Sequence, residues 1–175
     1  MKIYNAVVIT TLLYASECWT LLATNLTKLV VFQMSCLRCI LVVTRHDQLR
    51  NDMIRHHCME QPTVGKRVQW NRLRWFGHVC RMDDSRLPIQ LLWAERPASW
   101  HCPPNAPRKQ WKDQVAADMT THLSRRLYCD PLMAAVGMTA ERGAWRGLLC
   151  DITGINWRCD QSSERAHPDS SSVIG

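Results

Sequence analysis

Only two of the 175 residues are Phe, against eight Trp, and no run of apolar residues approaches the roughly 20 needed to cross a bilayer. A membrane-spanning reading is thereby excluded. Charged residues are 21% and apolar residues 46% of the chain, so neither a coiled-coil rod nor a wholly disordered polymer is expected. No Gly-rich phosphate loop, nucleophile elbow or ordered Ser, His and Asp set is present, so the sequence offers no catalytic centre. The nine Cys are odd in number and irregularly spaced, which argues against a closed disulfide framework. The apolar stretch Ala6–Ala15 near the start is interrupted by Thr10 and Thr11, and Tyr14 precedes the small residues Ala15 and Ser16. It makes a poor secretory signal, and an intracellular protein, nuclear or cytoplasmic, is expected.

What is present is positive charge. Twenty-two Lys and Arg against fifteen Asp and Glu give a net charge of +7 and a pI near 9.1, the balance of a chain that meets polyanions. The length allows one ordinary domain or two very small ones with a real core.

The pattern is helical throughout. Lys2 to Tyr14 is apolar on all sides, as in a buried helix. Asn25 is positioned to cap a helix to about Val43, with Leu26, Leu29, Val30, Leu37, Ile40 and Leu41 on one side. A short helix is expected over about Gln48–His57, and a long one over about Val64–Met82 with Val64, Val68, Trp75, Val79 and Met82 as its apolar stripe and Phe76 at the border. Another runs from Leu87 to Ala94 with Pro88 in its first turn, and RPASWHCPPNAP at 96–107 holds four prolines and reads as loop. Further helices are expected from Arg108 to about Leu123, from Pro131 behind an Asp130 cap to Gly137, and from a Thr139 cap to Cys150. The expected organisation is therefore an all-α, small irregular bundle of five to seven helices. It comprises a helical region 1–95, a Pro-rich linker 96–107, a helical segment 108–157 and a disordered tail 158–175.

Opposite the apolar stripe of the long helix, Lys66, Arg67, Arg74 and Arg81 gather around Trp70, and no carboxylate lies between 64 and 82. A cationic face with an aromatic at its centre suits phosphate binding with base stacking. The plainer reading is a solvated face of Lys and Arg. Arg108, Lys109 and Lys112 crowd the start of a later helix, where its dipole is positive, and an external anion would relieve them. Cys36 and Cys39 have zinc half-site spacing, with His56, His57 and Cys58 as further donors, but both cysteines fall inside a helix, so no metal is assigned. Asp83-Asp84 has the pairing by which polymerases hold metal ions, yet Arg81 and Ser85-Arg86-Leu87-Pro88 flank it as a helix end would be flanked. No cofactor is expected.

Several strings in order resemble one family. IYNAVVITTLLYASECWTL at 3–21, KLVVFQMSCLRCIL at 28–41, QWNRLRWFGHVCRMDDSRLP at 69–88, PRKQWKDQVAADM at 107–119 and, more weakly, ERGAWRGLL at 141–149 are similar to the region after the palm of non-LTR (LINE-type) retrotransposon reverse transcriptases. The family commonly has Tyr-Gly where Tyr14-Ala15 stands, Arg at the position of Cys39, and a Gly-rich lead where this chain has HCPPNA. The resemblance implies a helical thumb and C-terminal extension that grips template and primer. The polymerase aspartates and the endonuclease would lie upstream, leaving these residues without catalysis of their own. Nucleic acid, whether RNA, DNA or a hybrid, is the implied partner. The rival readings are a host nucleic-acid-binding or protein-interaction module built from the same piece, and a small zinc-binding or Cys-rich protein.

Overall fold

The structure, a computed structural model, describes residues 1–95, 99, 101, 109–123 and 131–155. Every regular element among them is helical. The first helix, α1, joins a π-helical stretch Tyr4–Ile9 to an α-helical turn Thr10–Leu12, and a 3₁₀ turn Ser16–Cys18 follows. Then come α2 (Ala23–Leu41), α3 (Asn51–His57), α4 (Val64–Val79), α5 (Leu87–Trp93), α6 (Trp111–Leu123), α7 (Pro131–Thr139) and α8 (Arg142–Thr153). The fold is all-α, with eight helices among the described residues where five to seven were expected.

α4 is the spine. Its first half sends Val64 and Val68 into a core with Tyr4, Ile9, Leu13, Met34, Leu37, Ile54 and Cys58. Its second half sends Leu73, Phe76 and Val79 into another, with Ile89 and Leu92 of α5, Val115 and Met119 of α6, Ala135 of α7 and Trp145 and Leu149 of α8. The helix starts where it does because two acceptors meet its first N–H groups. Thr63 Oγ1 accepts from Lys66 N, and Gln33 Oε1, reaching across from α2, accepts from Val64 N at 2.9 Å. Gln33 also donates to Pro62 O at 2.8 Å, so this buried amide fixes the turn that aims α4 between the two cores. The 3₁₀ turn is tied in similarly, through Asn71 to Ser16 Oγ and through Trp111 Nε1 to Glu17 O.

Several helix ends differ from the sequence reading. α2 begins at Ala23 with Leu22 at its N-cap, and Asn25 lies within its first turn instead of capping it. Its buried side centres on Gln33, Met34 and Leu37, leaving Ile40 exposed. α7 runs through Gly137 to Thr139, and Thr139 stays inside that helix, its hydroxyl donating to Val136 O instead of capping α8. α8 starts after Glu141 and ends at Gly154, whose φ of 68° is the left-handed turn that glycine takes without strain. α6 begins at Trp111, with the Asp113 carboxylate accepting from Gln110 N at 2.8 Å; its positive end is met by an acid of its own chain. The Asp130 cap, most of the linker 96–107 and the tail from 156 lie outside the described residues.

α2 ends in a Schellman turn. Val43 N bonds to Arg38 O and Val42 N to Cys39 O, with Val42 at φ 56° and almost fully exposed. A β-branched residue in the left-handed region is strained and here gains no packing in return. Val42→Gly is expected to stabilise the chain by about 1 kcal/mol, raising the melting temperature by about 2–4 °C in a calorimetric scan.

Candidate nucleic-acid interface

α4 carries its basic residues around the side left free by the two cores, and its neighbours decide how each is used. Lys66 and Arg74 are exposed. The Lys66 ammonium stands over the C-terminal end of α8, 3.3 Å from where a Cβ on Gly154 would lie, at the negative pole of that helix. Arg67 is half-buried, with Nη2 donating to Gln61 Oε1 at 2.9 Å and to Asn5 Oδ1 at 3.2 Å. Trp70 is half-buried against the second core. Arg81 is half-buried and donates from Nη1 to Thr139 O at 2.9 Å. Burial, and after it the charges of Arg142 and Arg146, bring the Arg81 guanidinium below its ordinary pKa.

Lys109 and Lys112 flank the start of α6 and are exposed, while Arg108 lies outside the described residues. Lys112 borders a groove among α4, α5 and α6 that Trp75, Leu91, Trp93 and Trp111 also line. None of Lys66, Arg67, Arg74 and Arg81 lines this groove.

A single helical wheel places the basic side of α4 wholly in solvent, and α8 changes that. It packs along α4 in the opposite direction, Trp145 lying on Leu73 and Gly77, so both of these are buried on the flank of the cationic side. Two arginines of α8 that the reading of α4 alone does not reach, Arg142 and Arg146, add their charge to the surroundings of Arg81. Their spacing of four is the one available signal, since it puts both on one face of a helix. Arg72 is also on α4 and belongs to no surface. It is buried against Asp118 of α6, Nη1 to Oδ2 at 2.5 Å. The position of Asp118 in register with Trp111, Val115 and Met119 was its trace in the sequence.

The other candidate groups are spent locally or dispersed. Asp83 accepts from Ser85 N, and the Ser85 hydroxyl and N–H hold its carboxyl below the usual range, so it fixes the turn before α5. Among the described residues no three His, Cys, Asp or Glu side chains gather as metal ligands. Cys36 is half-buried and Cys39 exposed on α2; burial, then Cys39, raises the Cys36 thiol. Burial pushes the Cys80 thiol up to about 11, which keeps it protonated and unreactive at neutral pH.

Fold and site together define an all-α, cation-bearing helical protein, and no helix among the described residues is long and apolar enough to cross a membrane. No family model matches the chain, and no solved structure matches it. A protein of Caenorhabditis elegans whose name calls it uncharacterized and transposon-derived is 24% identical over 124 residues, which are 69% of this chain and 44% of that protein. The chain therefore spans less than half the length of that relative. The likeness supports a transposon-related origin.

Proposed function

We propose that these residues are the thumb-like, post-palm part of a non-LTR retrotransposon reverse transcriptase. In this reading they hold RNA or DNA by phosphate contacts, without sequence preference and without chemistry of their own. The observation that carries the reading is α4. The helix on which both cores are built has Lys66, Arg67, Arg74 and Arg81 in or just after it, and no carboxylate from 64 to 82. A helix so placed presents its cations on a rigid support, which favours repeated phosphate contacts over a mobile basic tail. Lys66, Arg74, Lys109 and Lys112 are the exposed contacts and Arg67, Trp70 and Arg81 the half-buried ones, with Arg108, which lies outside the described residues, as a further candidate. The transposon-derived relative supports a transposon-related origin.

The test uses the exposed residues, since Arg67 and Arg81 also hold the fold. Anisotropy of labelled duplex DNA and of an RNA–DNA hybrid is followed from about 50 to 200 mM salt. Lys66→Gln/Arg74→Gln/Lys112→Gln is expected to reduce the slope of log affinity against log salt by about 2.7 on duplex DNA, near 0.9 for each lost phosphate contact. An unchanged slope removes these residues from the interface.

A further inference from the structure

Three of the eight tryptophans meet on one groove. Trp75 of α4, Trp93 of α5 and Trp111 of α6 line a cleft of about 1130 Å³, beside Leu91 and Lys112. It exceeds the roughly 300–1,000 Å³ of a small-molecule site, so it has room for more than one flat ring. The packing of three separate helices leaves Trp93 41% exposed and Trp75 and Trp111 half-buried at the edge of the second core.

Two of the rings are fixed before any ligand arrives. Trp111 donates from Nε1 to Glu17 O at 2.7 Å and lies near Phe76, 6.3 Å between ring centroids. Trp75 rests on His78, one turn further along α4, at 5.4 Å and tilted by 45°. Trp93 closes α5 and is the most exposed of the three. A rigid, partly exposed indole presents an apolar π-face, and another flat π-system covers it at little entropic cost.

The polar groups of the groove set what accompanies such a ring. Lys112 lines it, and Lys109, three residues earlier, is exposed. Of the two lining carboxylates, Asp113 is bonded to Gln110 N at 2.8 Å, and Glu95 is exposed, where it can accept from the amino group of a base. An aliphatic groove would suit an amphipathic helix, whereas indoles beside ammonium groups suit a strand that alternates flat bases with phosphates. Inside a duplex both faces of each base are covered by its neighbours, so an unpaired base is the one that can offer a face to an indole.

We infer that the groove among α4, α5 and α6 binds unpaired bases of a single-stranded nucleic acid, which stack on Trp75, Trp93 and Trp111 while Lys112 meets an adjoining phosphate. This rests on the nucleic-acid reading above and deepens it, since the α6 cluster gains a strand class, single and not double. Stacking accepts any base, so no sequence preference is added.

The full chain is titrated by anisotropy with a labelled oligo-dT of about twelve nucleotides and with an abasic oligomer of equal length, which keeps the phosphates and lacks the bases. The wild type is expected to bind dT about tenfold or more tighter than the abasic strand. Trp93→Ala is expected to keep its helical circular dichroism, to bind dT about five- to hundredfold more weakly, and to hold the abasic strand within about twofold of the wild type. Trp93→Phe restores a ring and is expected to recover most of the loss. Both variants keep the wild-type salt slope, because no phosphate contact is removed. A wild type that binds duplex DNA yet holds the two single strands equally overturns this site and leaves the general reading standing. A Trp93→Ala protein that keeps the preference for dT also overturns it. So does a wild-type dimer in light scattering that Trp93→Ala turns into a monomer, since a second copy would then fill the groove. A wild type that binds no probe at about 50 mM salt overturns both.

Discussion

Gly77→Ala lowers the stability of this protein by roughly 3 kcal/mol, about 6–12 °C in melting temperature for a chain of this length. Helix propensity alone says the reverse, since glycine inside a helix is about 1 kcal/mol worse than alanine. The neighbour decides. A Cβ on Gly77 would stand 2.1 Å from Trp145 Nε1, 2.6 Å from Cδ1 and 2.7 Å from Cε2. The indole is rigid, 2% exposed, packed on Phe76 at 6.1 Å between ring centroids, and donates to Leu73 O at 3.3 Å. It has no room to yield, so α8 must lift from α4 or the ring must leave the core; full loss of a buried Trp costs about 3–5 kcal/mol. Gly147→Ala is the matched control, because a Cβ there meets nothing within 4 Å, and it is expected to gain up to about 1 kcal/mol. Differential scanning calorimetry of the two variants separates packing from propensity. A stabilised Gly77→Ala protein would mean that Trp145 does not pack on this face.

The second large effect lies at Arg72 and Asp118. The pair joins α4 to α6 with side chains 5% and 13% exposed, and Arg72 Nε has no hydrogen-bond partner. Burial raises the Asp118 carboxyl above the usual range although Arg72 pulls it down, so desolvation outweighs attraction. Two consequences of opposite sign follow. Asp118→Ala strands a buried guanidinium and is expected to cost about 3–5 kcal/mol. Arg72→Met/Asp118→Leu, which replaces both members by apolar groups, is expected to return to within about 1 kcal/mol of the wild type or to exceed it. Denaturant midpoints of the two variants check this. A double variant as unstable as the single one would show that the charges themselves hold α6 in place.

These two sites also show where sequence patterning stops. Val64, Val68 and Val79 are buried as the apolar stripe of α4 requires, with Trp75 and Met82 at its half-buried edge. A wheel assigns one buried side to a helix, however, and α4 has neighbours on more than one. Leu73 and Gly77 are buried by α8, which is joined to α4 only through tertiary packing. Gln33 escaped because a count of apolar residues passes over a buried amide whose partners, Pro62 O and Val64 N, lie some thirty positions away. Ala15 is a different case. It sits at φ 55°, a left-handed conformation that glycine favours and that no hydrophobic pattern announces.

The candidate interface divides similarly. That α4 is basic on one side is legible from spacing alone. Which of its cations remain exposed depends on residues distant in the chain: Asn5, 62 positions from Arg67, and Thr139, 58 positions from Arg81. Lys66 and Arg74 meet no such partner among the hydrogen bonds and ion pairs of the described residues and stay exposed. The charges of Arg142 and Arg146 act on Arg81 because α8 packs antiparallel on α4.

The most direct test of the central claim is equilibrium binding of the wild-type chain to a labelled RNA–DNA hybrid and to duplex DNA, with circular dichroism on the same sample. The account predicts a helical spectrum and an affinity that falls steeply between about 50 and 200 mM salt on both probes, as phosphate contacts require. A helical protein that binds neither probe at the lower salt, or binds with no salt dependence, would contradict it.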